Sequence, residues 1–291
     1  MTIDQWLTDA IKQLKKTDGD TARLDVEVVL ADALERDRSW LHAHQDYIID
    51  SSLLRKLNEQ IKRRESHEPL AYIRGRQEFY GRDFYVSPDT LTPRPETETM
   101  IDLVLSSEFL EQSKNKEDLT FVDVGTGSGC IIITAALELY KNSELKAENY
   151  QFIGLDISKP ALKIADKNAE KLKANVEFKE FDLLKDDISE LKTHNSRLVI
   201  LANLPYVPTD FKINLAASHE PAFAIYGGQD GLDYYRALFK QLSSLPPVDS
   251  PSPITIFTES LPPQHNQLEE IAKKANFNLQ KTQDLIQTFT Q

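Results

Sequence analysis

The chain has 291 residues, a formal charge of −12 and one cysteine. That length suits one large domain or two smaller ones, the acidic balance argues against broad phosphate-backbone binding, and a lone thiol excludes an internal disulfide framework or a cysteine-rich zinc site. No apolar run approaches the roughly 20 residues of a bilayer span, and the opening MTIDQWLTDAIKQL carries no basic region followed by an apolar block, so the expectation is a reduced, cytoplasmic protein.

The first third predicts helices. Trp6, Leu7, Ala10, Ile11 and Leu14 recur at helical spacing, and so do Leu24, Val28, Ala31 and Leu34 after a capping Thr21. Leu53, Leu54, Leu57 and Ile61 mark a further helix that ends in Lys62-Arg63-Arg64-Glu65. Short amphipathic helices need one another to cover their apolar faces, which predicts a small all-α bundle over residues 1–75. Its basic cluster (Arg55, Lys56, Lys62, Arg63, Arg64) reads as a solvated helix face.

Residues 76–95 change texture. RQEFYGRDFYVSPDTLTP alternates aromatic and polar residues around Gly81, predicting a β-hairpin, and then passes into a connection stiffened by Pro88, Pro93 and Pro95. From residue 96 to 291, strand-like and helix-like segments alternate. LTFVDVG, YQFIGLDIS, NVEFKEFD and RLVILAN read as strands, and CIIITAALELY and KPALKIADKNAEKL as helices. SPITIFTE and LIQTFTQ read as closing strands, with a helix around Leu268–Ala275 between them. Such alternation predicts an α/β domain: a mostly parallel, Rossmann-like sheet with helices on both faces.

Three strand ends carry the candidate chemistry. Asp123 closes the first strand, and Gly125, Gly127 and Gly129 occupy the turn into the next helix. Without a Gly-Lys-Ser/Thr ending this turn is not a Walker phosphate loop. Asp156 ends the second strand, where an acid accepts from ribose hydroxyls. Asp182 ends the third, where it suits an exocyclic amine, beside the apolar Leu183. Dinucleotide and S-adenosylmethionine sites share this logic.

The fourth strand discriminates, because it ends in Asn203-Leu204-Pro205-Tyr206. An amide or ring amine is a poor nucleophile while its lone pair is delocalised. Two acceptors that hold its N–H groups out of the plane, the Asn203 side-chain carbonyl and the Leu204 backbone carbonyl, oppose that delocalisation and aim the nitrogen at a methyl group. Pro205 fixes the backbone and Tyr206 offers a face for planar packing. Orientation and aimed dipoles supply the catalysis, with no metal and no covalent intermediate.

The segments ARLDVEVVLADAL, RRESHEPLAYIRGRQEFYG, LTPRPETE, VDVGTGSGCI, GLDIS, NLPYVP, EPAFAIYGGQDGLDYYRAL and FTE resemble, in order and over nearly the whole chain, the PrmC/HemK family. The resemblance implies a class I S-adenosylmethionine-dependent methyltransferase with a seven-stranded sheet, acting on the N5 amide of the glutamine in the Gly-Gly-Gln loop of peptide chain release factors. It implies cofactor binding by Gly125, Thr126, Gly127, Ser128, Gly129, Asp156, Leu183 and Asn203, to which the strand-end reading adds Asp123 and Asp182, with S-adenosylhomocysteine as product. It also implies catalysis and glutamine binding by Asn203, Leu204, Pro205 and Tyr206, and substrate recognition by residues 1–75. Read from the residues alone, Arg94 with Glu96 and Glu98 is a further candidate to line the pocket and touch substrate; the alternative is that Pro95 with those acids simply starts a helix. The expected partner is the release factor, with no membrane, no direct nucleic acid and a monomeric state.

Two departures stand out. The family usually has Asn-Pro-Pro-Tyr, where this chain has Leu204, and FTESLPPQHNQ lacks the glycines the family carries after the glutamate. Asn-Leu-Pro-Tyr also looks like the motif of ribosomal-RNA adenine dimethyltransferases, so an RNA adenine-N6 methyltransferase is the first rival; 12 basic against 14 acidic residues over 1–75 speak against it. A catalytically silent binding protein on the same fold is the second. His42, His44 and His67 lack companions at ligand spacing, so no metal is expected. Cys130 reads as a core residue, Gly227-Gly228-Gln229 as a structural turn, and His219 as a loop residue near the active edge.

Overall fold

A computed structural model of the chain describes residues 1–17, 20–106, 109, 118–141, 150–191, 196–245 and 254–291; Ser252 and Pro253 of the expected SPITIFTE strand lie outside them. Two units are present: residues 1–76 with 213–219, and residues 77–212 with 220–291.

In the first unit, α1 (Ile3–Leu14), α2 (Ala22–Leu34), α3 (Arg38–Ala43), α4 (Ser51–Glu65) and α5 (Leu70–Arg74) enclose a core that includes Ile3, Trp6, Leu14, Val26, Leu30, Leu57 and Ile61. Thr2 and Gln5 form a reciprocal capping box on α1. The expected face of α2 is corrected in part. Ala31 is buried and Leu34 packs against the core as expected, but Leu24 is exposed, and the buried side also carries Ala22, Val26, Val29 and Leu30 together with Asp25 and Glu27. Those two acids are matched by cations: Arg64 Nε lies 2.8 Å from Asp25, and Arg23 and Arg38 lie 2.8 and 2.6 Å from Glu27. Arg64 is therefore a buried ion-pair partner and not part of a solvated face. Thr21 precedes α2 but makes no side-chain cap; its hydroxyl donates to Asp25 instead.

The second unit opens within a hairpin of β1 (Arg76–Phe79), whose first residue is the last of 1–76, and β2 (Arg82–Tyr85), joined through Tyr80 and Gly81, both at positive φ. After the proline segment comes α6 (Glu98–Val104), preceded by a 3₁₀ turn over Pro95–Thr97. The sheet is built from β3 (Asp118–Val124), β4 (Gln151–Asp156), β5 (Glu177–Glu180), β6 (Ser196–Ala202), β7 (Thr255–Glu259), β8 (Asn278–Gln283) and β9 (Ile286–Thr290), in the order β5-β4-β3-β6-β7-β9-β8. Pairings from β5 to β7 are parallel, and β9 runs antiparallel to both neighbours. The helices are α7 (Cys130–Lys141), α8 (Lys159–Leu172), α9 (Asp233–Ser244) and α10 (His265–Lys274).

Strand alternation distributes the apolar side chains between two cores. Phe121, Phe152, Val199, Leu201 and Phe257 join α6 and α7 on one face, while Val122, Ile153, Ile200 and Ile256 join α9 and α10 on the other. The expected mostly parallel seven-stranded sheet is thus present. β8 is absent from the sequence reading because NLQKTQ is an edge strand whose side chains are mostly solvent-facing, so it shows no apolar alternation. Strand order reverses between β3 and β6, which opens a crevice at their carboxyl ends.

Asn168 on α8, wholly buried, ties three parts of this unit together. Its Oδ1 accepts from the Tyr85 amide at 2.7 Å, and its Nδ2 donates to the Tyr85 and Ser128 carbonyls at 3.0 and 2.9 Å. Asn168→Ala strands these backbone groups away from water, and a loss of about 2–4 kcal/mol is expected in urea unfolding.

Candidate active site

A cavity of about 580 Å³ fills the crevice, lined by Val124, Gly125, Gly127, Leu155, Asp156, Ser158, Phe181, Asp182, Leu183, Asn203, Leu204 and Pro205, among others. Its floor is the turn after β3. Gly125, Gly127 and Gly129 all sit at positive φ, and a Cβ on Gly129 would press on Ile133, Ala165 and Phe178. The sequence thus uses glycine where backbone conformation and helix packing both demand it.

Asp156 is 8% exposed, and its carboxylate accepts from the Gly127 and Ser158 amides, each at 2.8 Å. Burial pushes its pKa up against the pull of those donors. Asp123 lies deeper: it is wholly buried beneath the turn, accepts from the Thr126 hydroxyl at 2.6 Å and does not line the cavity. Burial, reinforced by the charge of Asp156, pushes its pKa up to about 7. Thr126, Ser128 and Gly129 belong to the same turn behind the lining surface. Asp182 caps a turn, accepting from Leu184 N at 3.0 Å; its hydrogen-bonded partner Lys185, 2.7 Å away, holds its carboxyl below the usual range. Gln241 of α9 braces this turn by donating to the Leu183 and Asp186 carbonyls.

Asn203-Leu204-Pro205-Tyr206 is clamped from three sides. Asn203 Nδ2 donates to Thr97 Oγ1 at 3.1 Å. Leu204 N donates to the Tyr235 hydroxyl at 3.3 Å, and that hydroxyl also bonds the Glu259 carbonyl. Tyr206 donates from its hydroxyl to Glu259 Oε1 at 3.0 Å, and its carbonyl accepts from Gln264 Nε2 at 2.8 Å. Burial, then the neighbouring Glu259 charge, raises the Tyr206 phenol far above its ordinary value, so it stays a donor. Among the described residues nothing donates to the Asn203 side-chain carbonyl or the Leu204 main-chain carbonyl.

Sequence reasoning missed Thr97, Tyr235 and Gln264, although the segments RPETE, GLDYYRAL and FTESLPPQ contain them. Glu259 and Ser260 are buried, and Ser260 N bonds the Leu285 carbonyl; the chain turns there without positive φ, which is why it needs no glycine after the glutamate. Arg94 does not line the cavity; it pairs at 2.5 Å with Glu220, a buried acid that also accepts from Thr92 N at 3.2 Å. His219 bonds the Ser66 carbonyl at 2.8 Å within the first unit. Among the described residues no cluster of His, Cys, Asp or Glu is arranged to hold a metal, and no helix is long and apolar enough to cross a membrane.

A model of the PrmC N-terminal domain matches residues 5–75, and a methyltransferase-domain model matches residues 115–213. The release factor glutamine methyltransferase of Koribacter versatilis is 37% identical over 245 residues, covering 83% of this chain and 81% of the relative. Those of Bacillus anthracis (35%, covering 75% of this chain and 74% of the relative) and Bacillus subtilis (37%, covering 71% and 68%) are similar in the same way. With a matched helical domain, a matched methyltransferase domain and this identity over most of its length, the chain belongs to the release factor glutamine methyltransferase family.

Proposed function

We propose that the protein methylates the side-chain amide nitrogen of the glutamine in the Gly-Gly-Gln loop of a peptide chain release factor, with S-adenosylmethionine as donor. The observation that carries this reading is the pair of unengaged acceptors, the Asn203 and Leu204 carbonyls, beside the cavity. The cavity is within the usual size range of ligand pockets. Asp156, with one backbone donor on each oxygen, keeps lone pairs for ribose hydroxyls, and Phe181 and Leu183 offer apolar surface to a base. When bound, the cofactor supplies a sulfonium methyl group.

The chain's own residues then do the rest. Asn203 Oδ1 and Leu204 O accept from the two amide N–H groups of the glutamine, which turns the nitrogen lone pair out of conjugation. Pro205 fixes the spacing of the two acceptors. Tyr206, held by Glu259 and Gln264, supplies a packing surface. Thr126, Ser128 and the glycines shape the turn beneath, Asp123 positions Thr126, and Arg94, through Glu220, orders the segment before α6. Residues 1–75 are assigned to recognition of the protein substrate. Mass spectrometry of the Gly-Gly-Gln peptide after incubation of a release factor with enzyme and cofactor should show a single added methyl on glutamine. Methylation of ribosomal-RNA adenine with none on the peptide would reject the reading.

Asp156→Ala should weaken cofactor binding by about 1.5–3 kcal/mol, the size of hydrogen bonds to a charged group. Titration calorimetry with S-adenosylmethionine checks this, and an unchanged affinity in a folded variant removes Asp156 from the ribose site.

A further inference from the structure

We propose that the first unit carries a binding site for a small phosphomonoester with a hydroxyl on its carbon skeleton, in a polar cavity lined by the end of α2, by α4 and by the turn from α5 into β1. The site shares no residue with the crevice, and it is independent of the function proposed above.

The cavity holds about 520 Å³, within the size range of ligand pockets, and all its lining residues fall within 1–76. Its charged groups are Asp32, Glu35, Arg36, Lys56, Arg74 and Arg76: four cations against two carboxylates, a net of +2 on a chain whose formal charge is −12. The helix end beside it does not call for that excess. Ala31 O accepts from Arg36 N at 3.0 Å and Asp32 O from Glu35 N at 3.2 Å, so these last carbonyls of α2 are already engaged.

Three of the cations are held in place by the protein itself. Gly75, at φ +70°, turns the chain so that Arg74 and Arg76 both reach Asp32. Arg74 donates to it from Nε at 2.5 Å and Nη2 at 3.2 Å, and Arg76 from Nη2 at 2.9 Å. Burial pushes the Asp32 carboxyl up, but the hydrogen bonds from the two guanidiniums hold it below its usual range, so it stays an ionised anchor. Arg36 rests over the Trp40 ring, 5.5 Å from its centre. Lys56 pairs with no carboxylate, and Arg74 Nη1 meets no acceptor, among the described residues.

Two guanidiniums offer roughly ten N–H groups to the roughly four lone-pair sites of one carboxylate. A phosphomonoester answers both the surplus of donors and the surplus of charge. It carries a charge of about −2 near neutral pH, and its terminal oxygens accept forked donors. A single carboxylate ligand leaves half the excess uncancelled. The hydroxyl follows from Gln60, which lines the same cavity one turn beyond Lys56 on α4 and whose Oε1 is buried without a hydrogen-bond partner. An unpaired buried acceptor is costly, and a phosphate dianion has no proton to give it, whereas a hydroxyl on the adjoining skeleton does.

The test is titration calorimetry on the full chain at fixed ionic strength, beside thermal melts, with ribose 5-phosphate, inorganic phosphate and ribose. Ribose 5-phosphate should bind at one site and raise the melting temperature, and ribose should not bind measurably. Inorganic phosphate should bind roughly 10-fold more weakly than the ester, the scale of one further hydrogen bond in a desolvated site. Lys56→Gln, at an exposed position, should weaken both phosphates by roughly 10-fold with melting of the free protein unchanged. Gln60→Met, close in shape, should bring ribose 5-phosphate down to the level of inorganic phosphate and leave inorganic phosphate as it was. No saturable binding, equal affinity for the two phosphates, or wild-type affinity in Lys56→Gln overturns the site. An Asp/Glu-rich peptide that displaces ribose 5-phosphate at lower concentration also overturns it, because the cavity then belongs to a protein partner.

Discussion

Asn203→Ala is expected to slow methyl transfer by roughly 10²–10³-fold, the range for removing one hydrogen bond formed at the reacting centre. The fold should survive, because Asn203 is half-buried and, among the described residues, its side chain is held by one hydrogen bond, to Thr97. Rapid-quench kinetics on a release factor, beside thermal melts, separates the two effects. If melting falls and turnover per folded molecule does not, Asn203 is only a strand-end residue. Leu204 sharpens the comparison. Its carbonyl is retained by proline, which suggests that Leu204→Pro keeps the chemistry. Yet Leu204 N donates to Tyr235, and proline removes that donor, so the variant should transfer methyl while losing about 1 kcal/mol of stability.

Gly231→Ala should be more damaging to the site than its distance from the reacting atoms suggests. Gly231 sits at φ +81°, and a Cβ there would overlap the Tyr206 carbonyl and the Gln264 amide nitrogen that bonds it. Both the backbone strain and the displaced clamp act together, so a loss of roughly 2–4 kcal/mol is expected, with reduced turnover in the molecules that still fold. Gly81→Ala is the control. It has a similar φ, +73°, but nothing within 4 Å of the added atom, so only strain remains. Equal effects of the two substitutions on turnover would show that the clamp on Tyr206 is irrelevant to catalysis.

Much of the fold was legible because each strand in the sheet centre is a buried run such as LVILA, bounded by residues that cannot continue it. The strand-end residues were legible too: Asp156, Asp182, Leu183 and Asn203 line one cavity. What escaped was set by contacts across long stretches of sequence. Thr97 meets Asn203 from 106 residues away, and nothing local marks it as a partner. Asp123 matched the pattern of an acid at a strand end, but its side chain turns into the protein toward Thr126, a matter of rotamer that spacing does not encode. On α2 the apolar spacing found Ala31 and Leu34 but took in the exposed Leu24, and it could not mark Asp25 and Glu27 as buried, because their matching cations include Arg64 and Arg38 from outside the helix.

The placement of β9 between β7 and β8 has a kinetic side. β3, β4, β5 and β6 can assemble the glycine turn, Asp156 and Asn203 as soon as they are synthesised. β7, buried along its whole length, then waits with an open edge until residues 286–290 arrive, and β8 has no place in the sheet before that. A hairpin of β8 and β9 forms in microseconds, whereas a ribosome adds only about 5–20 residues each second, so synthesis sets the length of the wait. An unpaired apolar edge is sticky during that interval. Glu259 pairs with Ile286 in the final register. Its burial therefore comes with the last docking event, and a nascent chain acquires its cofactor crevice before it acquires the support behind Tyr206.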